Sequence, residues 1–382
     1  MNNNYVGISA IVLGTICFSI NDISVKLFST EMPLHQLMFF RAIFAILILL
    51  LIVLPFYGGL KYLNTKNPAF HFFRGLAVVG ANTFFFISIG YYFYHKSAVI
   101  SELKAQSKII ETSYGEIEYK ISGKNGPIIL YVHGTPGGYD RDFPFGDEYK
   151  IINISRPGYL RTPLSSGFKP KDQAKLYKAL LDSLEIESVF VFGSSGGGPS
   201  AIEFTTLYPE MTNGLISYEA ITKSWVNRPD GAESLSEQSD FQLWCIFKIA
   251  ELMGIETMVS FLMPNPLNQE KVLANKTQSN KFKDNFWSVW PMSLRKEGYE
   301  NDFKNYLNLS LPLEKISVPT IAIHGDEDIN VNISHSKELS LKVKNSKIFV
   351  IEGADHFMHF SHNKEIKEIL DTFITDNLKS PY

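Results

Sequence analysis

Residues 190–201 read FVFGSSGGGPSA: an apolar run, two adjacent serines, three glycines and a proline. A short strand-like run that ends in Gly-x-Ser-x-Gly and passes into a helix is a nucleophile elbow, with the serine held on a strained turn. The frame selects the serine. Gly193, Ser195 and Gly197 satisfy it, whereas centring on Ser194 would put Phe192 and Gly196 at the glycine positions. Glycine is required where a Cβ would clash, so Ser195 is the candidate nucleophile and Ser194 a packing residue. Read alone, the run also fits a Gly-rich turn without chemistry. A phosphate loop fits worse, because the Lys-Ser/Thr ending of that motif is absent.

Working outward, short apolar runs alternate with amphipathic stretches from about residue 108. KIIETSYGEIEYKIS reads as a hairpin turning near Tyr114-Gly115, and strands are expected at 128–132, 151–154, 189–192, 215–218, 320–323 and 348–351. Most are almost wholly apolar, as strands buried on both faces are. Helices are expected at 171–184, 199–208, 334–342 and 364–377. The alternation predicts an α/β fold with a mostly parallel sheet. Residues 222–312 break the rhythm with helix-like aromatic stretches, which suits an inserted helical cap.

A serine hydroxyl becomes a good nucleophile only when a base takes its proton, and the base needs an orienting carboxylate. On an elbow of this kind the chain order is serine, acid, histidine. Downstream, TIAIHGDEDINV ends a strand with Asp326, Glu327 and Asp328, and FVIEGADHFMHF ends the last strand with His356. Glu219, after GLISY, is a rarer acid position. Both downstream segments lie at strand C-termini, where crevices of open α/β sheets form. The developing oxyanion needs backbone N–H donors: Gly196, directly after the nucleophile, and Thr135, after His133-Gly134 in the loop YVHGTPGGYD. His133 is expected to be structural. His359 and His362 follow His356 at intervals of three, but a metal face is not expected across a strand-to-helix break. No cofactor is called for.

HGTPGG, SRPGYLRT, GSSGGGPSA, GDEDINV and GADHF stand in the order found in the α/β-hydrolase superfamily. The resemblance covers residues 108–378 and implies an acyl-transferring hydrolase with a small-molecule acyl substrate. By the spacing usual in these enzymes, Asp328 is the acid. Leu160 departs from the pattern, since relatives with such loops usually carry glycine in RPGYG. The loops also resemble those of proline iminopeptidases, although the GGSWG elbow of that group is missing, so a carboxylic ester hydrolase is preferred. A tethered binding protein without turnover is the alternative from another class. Trp244, Phe247, Phe286, Trp287 and Trp290 suit an apolar acyl group, but most are expected in the cap's own core.

The first third differs. Windows 6–28, 37–56 and 76–94 are apolar and about the length of a bilayer-spanning helix. GTICFSINDISVKLFS, PLHQLMFFRAIFAILILLL and FHFFRGLAVVGANTFFF resemble the opening of EamA-type carriers of the drug/metabolite transporter superfamily. The expected organisation is an all-α three-span membrane segment at 1–97, a linker at 98–107 and the hydrolase domain at 108–378. The bilayer is thus an expected partner, in a multi-pass protein. The resemblance implies a cytoplasmic N-terminus and a hydrolase domain on the other side. Three spans cannot supply the two repeats that alternating access requires. With 36 Lys and Arg against 39 Asp and Glu, a net charge of −3 gives no nucleic-acid footprint. Cys17 and Cys245 are the only cysteines, too few for a disulfide framework or a CxxC site.

Overall fold

Alternating side chains along the central strands dictate two buried sheet faces. In β3 (Ile128–Val132), Leu130 and Val132 join one apolar cluster while Ile129 and Tyr131 join another on the opposite face. The computed structural model of the protein describes residues 67–123, 126–225 and 232–378. A helix, α1 (Pro68–Ala105), precedes the hairpin β1 (Lys108–Thr112) and β2 (Gly115–Gly123). After β3 come β4 (Lys150–Ile154), α2 (Pro170–Ser183), β5 (Val189–Ser194), α3 (Gly198–Leu207) and β6 (Thr212–Tyr218). The eight-stranded sheet has the order β1-β2-β4-β3-β5-β6-β7-β8, antiparallel only at β1·β2 and β2·β4.

Between β6 and β7, the described residues form helices and no strand: α4 (Asp240–Met253), α5 (Ile255–Leu262), α6 (Pro266–Ala274), α7 (Lys276–Trp287) and α8 (Lys296–Tyr306). A Ser239–Gln242 capping box starts α4, and the Asn275 side chain caps α7. The chain returns through β7 (Thr320–Gly325), α9 (Ser334–Lys342), β8 (Ser346–Ile351) and α10 (Asn363–Asp376). Helices α2, α3 and α9 cover one sheet face through Leu176, Leu180, Phe204 and Leu339, and α10 covers the other through Ile366, Leu370 and Phe373. Each such side chain contributes roughly 1.5–3 kcal/mol when fully buried.

The chain divides into two compact units, Met1–Ile87 and Ser88–Tyr382. The expected spans at 6–28 and 37–56 lie outside the described residues. The third, 76–94, falls within α1, and the expected linker at 98–107 is helical as far as Ala105. Among the described residues no helix is long and apolar enough to cross a membrane. Helix α1 has the length, and Asn82, Thr83, Ser88 and three glycines lie along it.

Within the second unit, the last turns of α1 belong to the cap. Tyr92 is buried in the cap's aromatic cluster, and the His95 ring stacks on Trp290 with centroids 5.1 Å apart. His95 Nδ1 accepts a hydrogen bond from Trp244 Nε1 at 3.0 Å. Burial, with Lys248 nearby, lowers the His95 pKa and so favours the neutral ring that can accept. Lys96 pairs with Asp240, the first residue of α4, at 2.7 Å.

Candidate active site

Four strand ends deliver the candidate residues to one edge of the sheet: Ser195 follows β5, Glu219 follows β6, Asp328 lies three residues past β7 and His356 five past β8. Ser195 and Glu219 both have φ of +48°, an uncommon left-handed conformation for residues with a Cβ. The two strained turns are tied together by a hydrogen bond from Ile221 N to Ser195 O at 3.0 Å. Behind Ser195 the chain makes one 3-10 turn and enters α3, whose N-terminus favours negative charge. A Cβ on Gly197 would run into the carbonyl oxygen of Val132, so the elbow requires glycine there.

Asp328 Oδ2 accepts from His356 Nδ1 at 2.7 Å, and its Oδ1 accepts from the amides of Asn330 and Val331 at 2.8 and 2.9 Å. Burial would raise the pKa of this carboxyl, but His356 and His324 outweigh it and hold the group well below the usual carboxylate range. Asp326 and Glu327 are exposed and engaged elsewhere, Asp326 with the Gly353 amide and Glu327 with Asn265. Ser195 and His356 line one cavity of about 1080 Å³. Among the described residues the Ser195 hydroxyl has no hydrogen-bond partner; catalytic contacts of this kind often tighten only in the substrate complex.

Glu219 is a second carboxyl at the same imidazole, its Oε2 3.8 Å from His356 Nδ1. It is buried and its Oε1 has no partner. Burial pushes its pKa well above the ordinary value, and the charges of Asp328 and Asp355 push the same way. Its surroundings therefore favour the neutral carboxyl, whereas those of Asp328 favour the ionised one. Glu219, Asp328 and His356 are also the one group among the described residues whose ligand atoms converge closely enough for a metal ion. However, Nδ1 of His356 is already committed to Asp328. Of the other two histidines, His359 packs on Phe360 with its Nδ1 buried and unpartnered, and His362 bonds to Lys271 at 2.6 Å. Burial lowers the His359 pKa to about 3.

The expected oxyanion donors are neighbours, since a Cβ on Gly196 would come 3.3 Å from Thr135 N. A buried polar cluster fixes both. Arg156 and Asp302, each 1% exposed, pair through both guanidinium nitrogens, Nη1 to Oδ1 at 2.8 Å and Nη2 to Oδ2 at 2.5 Å. Arg156 Nη2 donates to Thr135 Oγ1 at 2.9 Å, and that hydroxyl donates to Asp302. Tyr306, at the end of α8, donates to the carbonyl oxygen of Gly196. Arg156 also grips His133, with Nε donating to its carbonyl at 2.9 Å and the backbone amide donating to Nε2 at 3.0 Å. Burial keeps the His133 pKa well below the usual histidine value, and Arg156 adds to this; the ring is structural.

Sequence reasoning passed over this cluster, because Arg156 and Asp302 are 146 positions apart and neither lies in a nucleophile, acid or base motif. SRPGY offered the only signal. Phe247 and Phe286 line the cavity, whereas Trp244 and Trp290 are spent within the cap.

This sheet order, with a nucleophile elbow after β5 and a cap before β7, is the α/β-hydrolase fold. The chain is 28% identical over 273 residues to an uncharacterized hydrolase, YcgS, of Bacillus subtilis (strain 168), covering 67% of this chain and 93% of that one. It is 21% identical over 280 residues to the proline iminopeptidase PfmaB of Pestalotiopsis fici, covering 67% and 95%. An α/β-hydrolase-fold protein from Nakamurella multipartita superposes with a TM-score of 0.64 at 25% identity, covering 70% of this chain and 98% of that one. Together these support the α/β-hydrolase superfamily and indicate a hydrolase. No family model matches the chain, so the EamA-like reading of the first third gains no support.

Proposed function

We propose that this protein is a serine hydrolase that cleaves a carboxylic ester or related acyl bond through an acyl-enzyme. The observation that carries the reading is the Asp328–His356 hydrogen bond at a cavity that also holds Ser195 on its strained turn. His356 takes the proton of Ser195 as the hydroxyl attacks, and Asp328 stabilises the imidazolium and fixes its tautomer. The amides of Thr135 and Gly196 receive the oxyanion. His356 then protonates the leaving alcohol, and water repeats the sequence on the acyl-enzyme. The apolar cap wall, including Phe247, Phe261 and Phe286, suits an acyl chain.

Fluorophosphonate labelling of the full chain tests this. Label is expected on the wild type and absent from Ser195→Ala; label persisting in the variant would exclude Ser195. The similarity to PfmaB favours one second reading, an amide or peptide hydrolase, which proline β-naphthylamide against 4-nitrophenyl butyrate separates.

Membrane attachment through the first third is also our proposal, supported by the windows at 6–28 and 37–56 and by the exposed Phe72, Phe73, Phe84 and Phe85 of α1. Full-length protein should resist alkaline carbonate extraction, and release into the soluble fraction would overturn the anchor.

A further inference from the structure

Three of the four arginines described within the hydrolase domain have a carboxylate partner: Arg156 has Asp302, Arg161 has Glu118 and Arg295 has Asp140. The fourth, Arg141, has none within 4.0 Å among the described residues. Arg141 sits six positions beyond Thr135 and lines the same cavity as Ser195 and His356. Its guanidinium is held in place by neutral oxygens, with Nη2 donating to Pro136 O at 3.1 Å and Nη1 donating to the Asn285 side chain. Its Nε is buried without any partner. Two of the five donors that a guanidinium carries are thus used and none meets a negative charge.

Neighbouring acids do not fill the gap. Asp140 attracts Arg141 from beyond ion-pair distance but is itself paired with Arg295, and Asp142 and Asp284 are exposed, where solvent screens them. Burial lowers the Arg141 pKa, the direction expected of a cation that lacks its counter-ion. A cation held this way is expensive unless something anionic meets it. A planar fork with free edges matches a carboxylate in two parallel hydrogen bonds.

Resting on the serine-hydrolase reading, we propose that the substrate carries a carboxylate and that Arg141 binds it inside the cavity. Pro136, which helps to fix the guanidinium, directly follows the oxyanion donor Thr135. The anion and the scissile carbonyl are therefore bound at neighbouring positions of one loop, a short distance apart. Half-esters of short dicarboxylic acids have that reach.

The test compares 4-nitrophenyl half-esters of succinic and glutaric acid with 4-nitrophenyl butyrate and valerate, using the full chain. The wild type should favour the half-esters by about tenfold or more in kcat/KM, since a site built for a polar group discriminates against its absence. The ratio should collapse towards one in Arg141→Gln, mainly through KM, and recover in part in Arg141→Lys. Glutarate should also slow fluorophosphonate labelling of the wild type and not of Arg141→Gln, a readout that needs no turnover. A labelled wild type without the charge preference, or a preference that survives in Arg141→Gln, overturns the anion subsite alone. Loss of labelling and of both activities would instead overturn the serine-hydrolase reading, and this inference with it.

Discussion

The cavity has two walls built by different means. The sheet wall places Ser195, Glu219, Asp328 and His356 at the ends of strands whose registers are fixed by ladder hydrogen bonds. The cap wall is made of helices whose positions depend on interlocking rings: Tyr92, Trp244, Phe247, Phe286 and Trp290. Backbone pairing positions atoms to a fraction of an ångström, whereas ring packing can be re-formed with other apolar residues. The proposed chemistry therefore draws on the first wall, and the apolar contacts to a substrate on the second. The Arg156–Asp302 cluster joins them, since Asp302 lies on α8 at the end of the cap and Arg156 in the loop after β4.

The largest expected effect breaks the sheet wall. Ser195→Ala should lower kcat at least about 10³-fold on a chromogenic ester while the fold persists by circular dichroism. A variant retaining a tenth of wild-type activity would move the chemistry elsewhere. Next, the joint: Asp302→Asn should lower kcat about 10²-fold with little change in KM, as loss of a preorganised oxyanion donor does. It should also cost about 3 kcal/mol of stability, because Arg156 is left as an uncompensated buried charge. Unchanged kcat with lowered stability would make the cluster purely structural.

On the cap side, His95→Ala removes one hydrogen bond and one ring stack, and should destabilise by about 1–2 kcal/mol in urea titration. Here KM should rise more than kcat falls, the opposite of the split expected for Asp302→Asn.

The smallest effect concerns the two carboxyls at His356. The pKa of Glu219 is raised in the folded state, so its titration costs nothing below its unfolded pKa of about 4.3 and destabilises increasingly as pH rises towards the folded value. Asp328 behaves in the opposite sense, stabilising above about pH 3.9 and losing that contribution as pH falls. Glu219→Gln should lower kcat/KM less than about tenfold at neutral pH, and its Tm advantage over wild type should grow between pH 5 and pH 9. A gap constant with pH would mean that Glu219 is ionised.

The sheet was legible because strands buried on both faces leave continuous apolar runs, and because an elbow needs glycines at fixed spacing around Ser195. The expected helix at 171–184 is Pro170–Ser183, and that at 334–342 is Ser334–Lys342. Asp328 and His356 stood out as candidates because each follows a strand within a few residues. What the sequence hides is whatever forms between distant segments. Glu219 was visible as a rarer acid position, but nothing local showed that its carboxyl would face the ring at position 356 alongside Asp328. Arg156 meets Asp302, and Arg141 is held by Pro136 and Asn285 with no ion-paired carboxylate among the described residues, only after the cap has closed over the sheet. The role of α1 was obscured differently: Tyr92 and His95 sit in an apolar, aromatic run whose composition suits lipid as well as it suits a protein core.

Leu160 carries a backbone compromise that a single substitution could reverse. Its φ is +51°, and a methyl group of its side chain fills the space that a Cβ on Gly138 would occupy. A leucine in that conformation stores about 1–2 kcal/mol relative to glycine. The molecule thus trades a tense turn for a wedge against the HGTPGG segment. Replacing the wedge with glycine would relax the turn and unprop the segment together, so a more heat-resistant variant should also be a less faithful host for the oxyanion.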